Sequence, residues 1–148
     1  VMSSLKECIL GINSIKSFKK DILIGIHIRK NGKLPSGENL LSVVKKLEKY
    51  NPIGIIVSCV SIEDVAFVIK GLKKLNTPYG FKINAFEHIP AGWKPDSNNP
   101  KVQLGKRDDL TPNKFAKICI KFNKFGANIL GGCCEITPSH IKKLKNLM

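Results

Sequence analysis

The sequence predicts a parallel α/β fold. Three observations carry that expectation. Short apolar runs rich in β-branched residues, at 22–28 and 53–57, are bounded by turn residues and too short for helices. Segments with apolar residues at helical spacing alternate with them, in the order α-β-α-β-α-β-α-β-α. Strands apolar on both faces belong to a sheet covered by helices, which is parallel with right-handed crossovers. Two architectures fit this order: an open doubly wound sheet and part of a (β/α)8 barrel. No Gly-x-Gly-x-x-Gly follows any strand, which counts against the nucleotide-binding form of the first.

The elements follow from local signals. Leu5, Cys8, Ile9, Ile12 and Ile15 recur at helical spacing over residues 4–18. Residues 21–28 read as a buried strand with His27 inside it, taken as structural. A polar segment leads to a helix over 39–50, with Leu40, Leu41, Val44 and Leu47 inward. Pro52 ends it, and a strand over 53–57 runs to Ser58-Cys59. Ser61 is an N-cap with Asp64 as its capping-box partner, opening a helix over 62–75. After the Asn76-Thr77-Pro78 turn, a strand over 79–85 carries Phe81 and Ile83 on one face and Lys82 and Asn84 on the other. Residues 86–110, around Trp93, form the longest irregular stretch, of the kind that usually serves function. Thr111-Pro112 opens a helix that Gly126 stops. A strand over 127–130 runs into Gly131-Gly132-Cys133-Cys134, and Thr137-Pro138 starts the last helix.

At 148 residues, 43% hydrophobic and 24% charged, the chain has the size and balance of one soluble domain. No apolar run is long enough to cross a bilayer, and the first residues lack the features of a secretory signal, so the expected location is the cytoplasm. The 25 Lys+Arg against 11 Asp+Glu give a net charge of +14. Such charge is one mark of a nucleic-acid-binding domain. Here the lysines are scattered as pairs (Lys19-Lys20, Lys45-Lys46, Lys73-Lys74, Lys142-Lys143) without interleaved aromatics. The expectation is a solvated basic surface with neither nucleic acid nor membrane as partner. The nucleic-acid reading rests on net charge alone.

Five cysteines, an odd number, favour metal binding, catalysis or core packing over a disulfide framework. Cys8 and Cys119 lie on apolar helix stripes and are read as core. The other three collect elsewhere. Cys59 ends the second strand and Cys133-Cys134 end the fourth, while Glu38 follows the first and Asn84 lies near the end of the third. The carboxyl ends of parallel strands form the functional face of α/β folds. Three thiolates suit zinc with one exchangeable position. A substrate thiol placed there would lose its proton and become a nucleophile towards an activated methyl group. His88 and His140 are the competing ligands, with His140 read as packing or capping. By residue type alone, Glu38 could equally be a first-turn acid favoured by a helix dipole, and Asn84 a loop anchor.

These residues also match a family. Gly131-Gly132-Cys133-Cys134 with Thr137-Pro138-x-His140-Ile141 resembles the C-terminal signature of the homocysteine S-methyltransferases. Pro35-Ser36-Gly37-Glu38, Val57-Ser58-Cys59 and Lys82-Ile83-Asn84-Ala85 resemble its other strand-end motifs, in the same order. Ser58 stands where the family usually has asparagine. The resemblance implies the C-terminal half of a (β/α)8 TIM-type barrel: strands five to eight and the preceding helix. Residues 1–148 would then form a partial homocysteine-binding domain. It implies zinc held by Cys59, Cys133 and Cys134, Asn84 beside it, and Glu38 on the homocysteine amino group. No catalytic residue is implied beyond the zinc site. The implied reaction moves a methyl group from a small donor to the thiol of homocysteine, forming methionine. The implied partner is an N-terminal half-barrel or a second copy of the chain. The alternatives are a non-catalytic zinc-binding remnant and one half of a split methyltransferase.

Overall fold

The computed structural model describes residues 1–87 and 104–148. Nine principal elements follow in order: α1 (Leu5–Ile15), β1 (Leu23–Ile26), α2 (Leu40–Leu47), β2 (Gly54–Val60), α3 (Ile62–Leu72), β3 (Tyr79–Ile83), α4 (Pro112–Lys124), β4 (Ile129–Gly132) and α5 (Pro138–Leu147). The expected alternation is therefore present. The expectations placed on His88 and Trp93 lie outside the described residues.

The sheet resolves the choice that the sequence leaves open. Its four strands are all parallel and lie in the order β1-β2-β3-β4. A doubly wound sheet reverses its order at a switch point; this one never does. With right-handed crossovers, an unreversed order places every helix on the same face, as in the arc of a barrel. Register defines the two faces. Ile24, Ile55 and Tyr79 align, as do Ile26, Val57, Phe81 and Leu130. This face meets the helices: Phe81 is fully buried, with its ring centroid 5.6 Å from that of Phe122 in α4. The opposite face carries Leu23, Gly25, Gly54, Ile56, Ser58, Gly80, Lys82, Ile129 and Gly131. Its small residues let the sheet curl. A Cβ on Gly80 would lie 2.6 Å from the Ile129 carbonyl carbon, and one on Gly54 would lie 2.9 Å from Ile129 Cδ1.

Side-chain caps start the helices where the sequence places them. Ser4 Oγ accepts from Glu7 N, Asn39 Oδ1 from Leu41 N and Ser42 N, and Thr111 Oγ1 from Lys114 N. Ser61 Oγ accepts from Asp64 N and donates to Asp64 Oδ2 at 2.7 Å, so the acid binds the hydroxyl rather than reaching the cap backbone. Boundaries differ more. The first two helices end in 3₁₀ turns, at Lys16–Phe18 and Glu48–Tyr50. The fourth strand begins at Ile129 and not at 127, because Ala127 belongs to the helix stop. Its N–H donates to Phe122 O, and its carbonyl accepts from Asn123 Nδ2. One pairing has no sequence signal: Met2 bridges Ile26 in parallel, through Met2 N–H to Gly25 O and His27 N–H to Met2 O.

Candidate metal centre

Cys59, Cys133 and Cys134 meet at the carboxyl ends of β2 and β4, with their sulfur atoms all within 4.8 Å of one another. Strand alternation alone does not bring Cys59 there, since it would follow Val57 onto the helix-covered face. A β-bulge between Ser58 and Val60 changes its direction, and Cys59 takes the left-handed conformation with φ +57°. A non-glycine residue there costs about 1–2 kcal/mol, which the surrounding ladder sustains. No sequence signal marks this bulge.

The other two thiols are held by backbone. Cys133 N donates to Ile83 O at 2.8 Å, and Ala85 N donates to Cys134 O at 3.0 Å, so both ends of the pair are stitched to the end of β3. Asn84, between those anchors, donates its own N–H to Val60 O at 3.0 Å. Its buried side chain donates from Nδ2 to Cys59 Sγ at 3.8 Å and accepts from Phe86 N at Oδ1. Three strand ends thus share one hydrogen-bonded knot. The two glycines before the cysteines are not equivalent. A Cβ on Gly132 would lie 2.5 Å from Ile136 Cβ, whereas one on Gly131 would meet nothing closer than Lys82 Cγ at 3.8 Å. Gly132 lets the turn fold back, with Ile136 N–H on Cys133 O, and Glu135 completes it at φ +63°.

The sulfur spacing tests whether these residues fit a metal. Four ligands about 2.3 Å from a tetrahedral zinc lie about 3.8 Å from one another. Cys133 Sγ and Cys134 Sγ are 3.7 Å apart, and Cys59 Sγ and Cys134 Sγ are 4.0 Å apart. All are free thiols. Three soft sulfur donors, two of their pairs at the tetrahedral edge and the third within 4.8 Å, suit such an ion. The electrostatics agree. Burial first, then the charges of Cys133 and Cys134, push the Cys59 thiol up to about 12. Burial and Cys133 also raise Cys134. Three thiolates so close are mutually unfavourable unless a cation joins them.

The remaining candidates separate clearly. His140 is buried, with Nε2 2.9 Å from Leu110 O and Nδ1 accepting from Thr137 N–H at 3.2 Å. Both ring nitrogens are engaged, so His140 caps α5 and packs edge-on against Phe115. His27 Nδ1 lies 3.3 Å from Ser58 O, a structural contact on the second strand's backbone. Cys8 and Cys119 are buried in the core. Glu38 is not part of the thiol cluster. Its Oε2 accepts from Leu5 N at the start of α1 and from Ser36 Oγ, and these two bonds hold the carboxyl below its usual range.

A family model described as homocysteine S-methyltransferase matches residues 1–148. Two solved structures share the fold: the homocysteine methyltransferase MmuM from Escherichia coli in a metallated and in an oxidized form. Each aligns with a TM-score of 0.74, at 18% and 21% identity respectively. Each alignment covers 99% of this chain but 43% of the other, so the chain spans less than half the length of those proteins. No curated protein sequence matches.

Proposed function

The chain belongs to the homocysteine S-methyltransferase family, and from that premise we propose that it transfers a methyl group to the thiol of homocysteine, forming methionine, at a zinc site made by Cys59, Cys133 and Cys134. The observation that carries this reading is the gathering of three thiols on converging strand ends, with two of their three sulfur pairs at tetrahedral-edge spacing. Zinc held there supplies a Lewis acid that stabilises a substrate thiol as the thiolate. The chain's own residues do the rest. Cys59 presents its sulfur from the bulge, and Asn84 holds that sulfur by its amide. The backbone of Ile83 and Ala85 fixes the Cys133–Cys134 turn. Glu38 receives the substrate ammonium in this reading, as a carboxylate kept ionised by the Leu5 N–H and the Ser36 hydroxyl. The partners are homocysteine and a small methyl donor, and the setting is the cytoplasm. Among the described residues, no helix is long and apolar enough to cross a membrane.

The 43% coverage of the barrel enzymes favours a second reading, in which this chain is the zinc-carrying half of a split methyltransferase. One assay addresses both. The zinc-loaded chain is incubated with homocysteine and methyl donors, alone and with a co-expressed first half of a family barrel, and methionine is measured. Product from the chain alone supports the first reading, and product only from the pair supports the second. Stoichiometric zinc with no methionine in either arrangement would leave a non-catalytic zinc-binding remnant.

A further inference from the structure

One rung of the helix-free face lies directly beneath the thiols. Ser58, Lys82 and Gly131 are register partners across β2, β3 and β4, immediately before the strand ends that carry Cys59, Asn84 and Cys133. Lys82 is the only charged residue in the four strands. It is exposed, while Phe81 and Ile83 on either side are fully buried beneath the helices. Its Cγ lies 3.8 Å from where a Gly131 side chain would begin, so its stem crosses the glycine that leads into the cysteine pair. No carboxylate pairs with it among the described residues. Asn84, two residues further along β3, bonds Cys59 Sγ. Two strand residues span about 6.6 Å, a distance a lysine side chain covers readily. Its flanks are Gly131 and the buried Ser58, and a side chain on Gly131 would meet only the Lys82 stem.

We propose that Lys82 binds the carboxylate of the amino-acid thiol and so makes the site prefer an amino acid over a simple thiol. The assignment rests on the methyl-acceptor reading above. That reading supplies a ligand with a thiol at one end and a carboxylate at the other. With the sulfur at the cysteine cluster, the far end of a molecule this short falls over the Lys82 rung. Lysine acts here as a point charge, which suits a carboxylate that approaches at the rim of an open site.

The test is calorimetric titration of the zinc-loaded chain with L-homocysteine and with aminopropanethiol, the same molecule without its carboxylate. A charge-assisted hydrogen bond at a partly wet site predicts that the wild-type chain binds homocysteine about tenfold more tightly. Lys82→Met should erase that preference by weakening homocysteine alone, and Lys82→Arg should retain most of it. Zinc stoichiometry should be unchanged in both variants, because Lys82 touches no thiol. Equal binding of the two thiols by wild type, or a Lys82→Met variant that weakens both alike, overturns the Lys82 assignment and leaves the methyl-acceptor reading standing. Binding of neither thiol overturns both.

Discussion

Gly132→Ala and Gly131→Ala, adjacent and chemically identical substitutions, should have opposite effects. At Gly132 the new methyl would lie 2.5 Å from Ile136 Cβ, an atom close to the backbone that cannot swing away. Forcing extra volume into a packed site costs about 1–3 kcal/mol. The alanine also restricts the unfolded chain, which offsets roughly 0.4–1 kcal/mol. The net loss of about 1–2 kcal/mol corresponds to a fall in Tm of about 4–8 °C for a domain of this size. At Gly131 the nearest atom is Lys82 Cγ at 3.8 Å, an ordinary contact. Only the unfolded-state effect remains, and Tm should stay level or rise by about 2–4 °C. Thermal melts of the metal-free proteins isolate the packing effect. Zinc competition titrations then show whether the displaced Cys133–Cys134 turn weakens the site, which only Gly132→Ala should do. A Gly132→Ala protein as stable as wild type, with equal zinc affinity, would refute the argument that this glycine shapes the turn.

Three further outcomes are expected. Serine at Cys59, Cys133 or Cys134 should abolish stoichiometric zinc, whereas Cys119→Ala should cost stability but leave the metal content intact; elemental analysis separates them. Proton release should accompany metal binding. Three thiols become thiolates on binding, and Cys59 and Cys134 are held protonated well above neutrality, so apparent zinc affinity should rise by up to about a thousandfold per pH unit between pH 6 and 8. A flat profile would count against thiolate ligands. In the metal-free chain, burial raises Cys8 to about 11 and Cys119 to about 12 from the ordinary 9.0. Stability should therefore be full below pH 9 and fall as the pH rises through 11–12, by denaturant titration at each pH. His140→Ala, which removes the bond to Leu110 O and uncaps α5, should destabilise by about 2–3 kcal/mol in denaturant melts and leave zinc stoichiometry unchanged.

Much of the fold was legible because its signals are local. Short β-branched runs, cap residues at Ser61 and Thr111, and the stop at Gly126 each need only a few neighbours to be read. That the strand ends carrying Cys59, Asn84, Cys133 and Cys134 lie on one side of the sheet also followed from strand polarity; the direction of the Cys59 thiol did not. Two things were not legible. Strand order required the register of long-range pairs, so periodicity could not choose between a reversed sheet and an arc. The bulge at Cys59 required the same knowledge, because simple alternation sends that thiol into the core. Glu38 shows a third kind of difficulty. Its partner is Leu5 N, 33 residues earlier in the chain, and nothing near Glu38 announces a helix start waiting for a carboxylate.

The unreversed strand order also bears on how the chain assembles. Each new strand docks on the one made just before it, so the sheet grows at one edge, although each docking closes a loop that carries a whole helix, as between Leu23 and Gly54 or Phe81 and Leu130. The thiol cluster is different, because Cys59 and Cys134 stand 75 residues apart. Their meeting waits for the last strand. A metal bound there would therefore be a latch applied to a finished sheet and not a seed for it. Stopped-flow measurements should find zinc slowing unfolding while leaving the refolding rate nearly untouched.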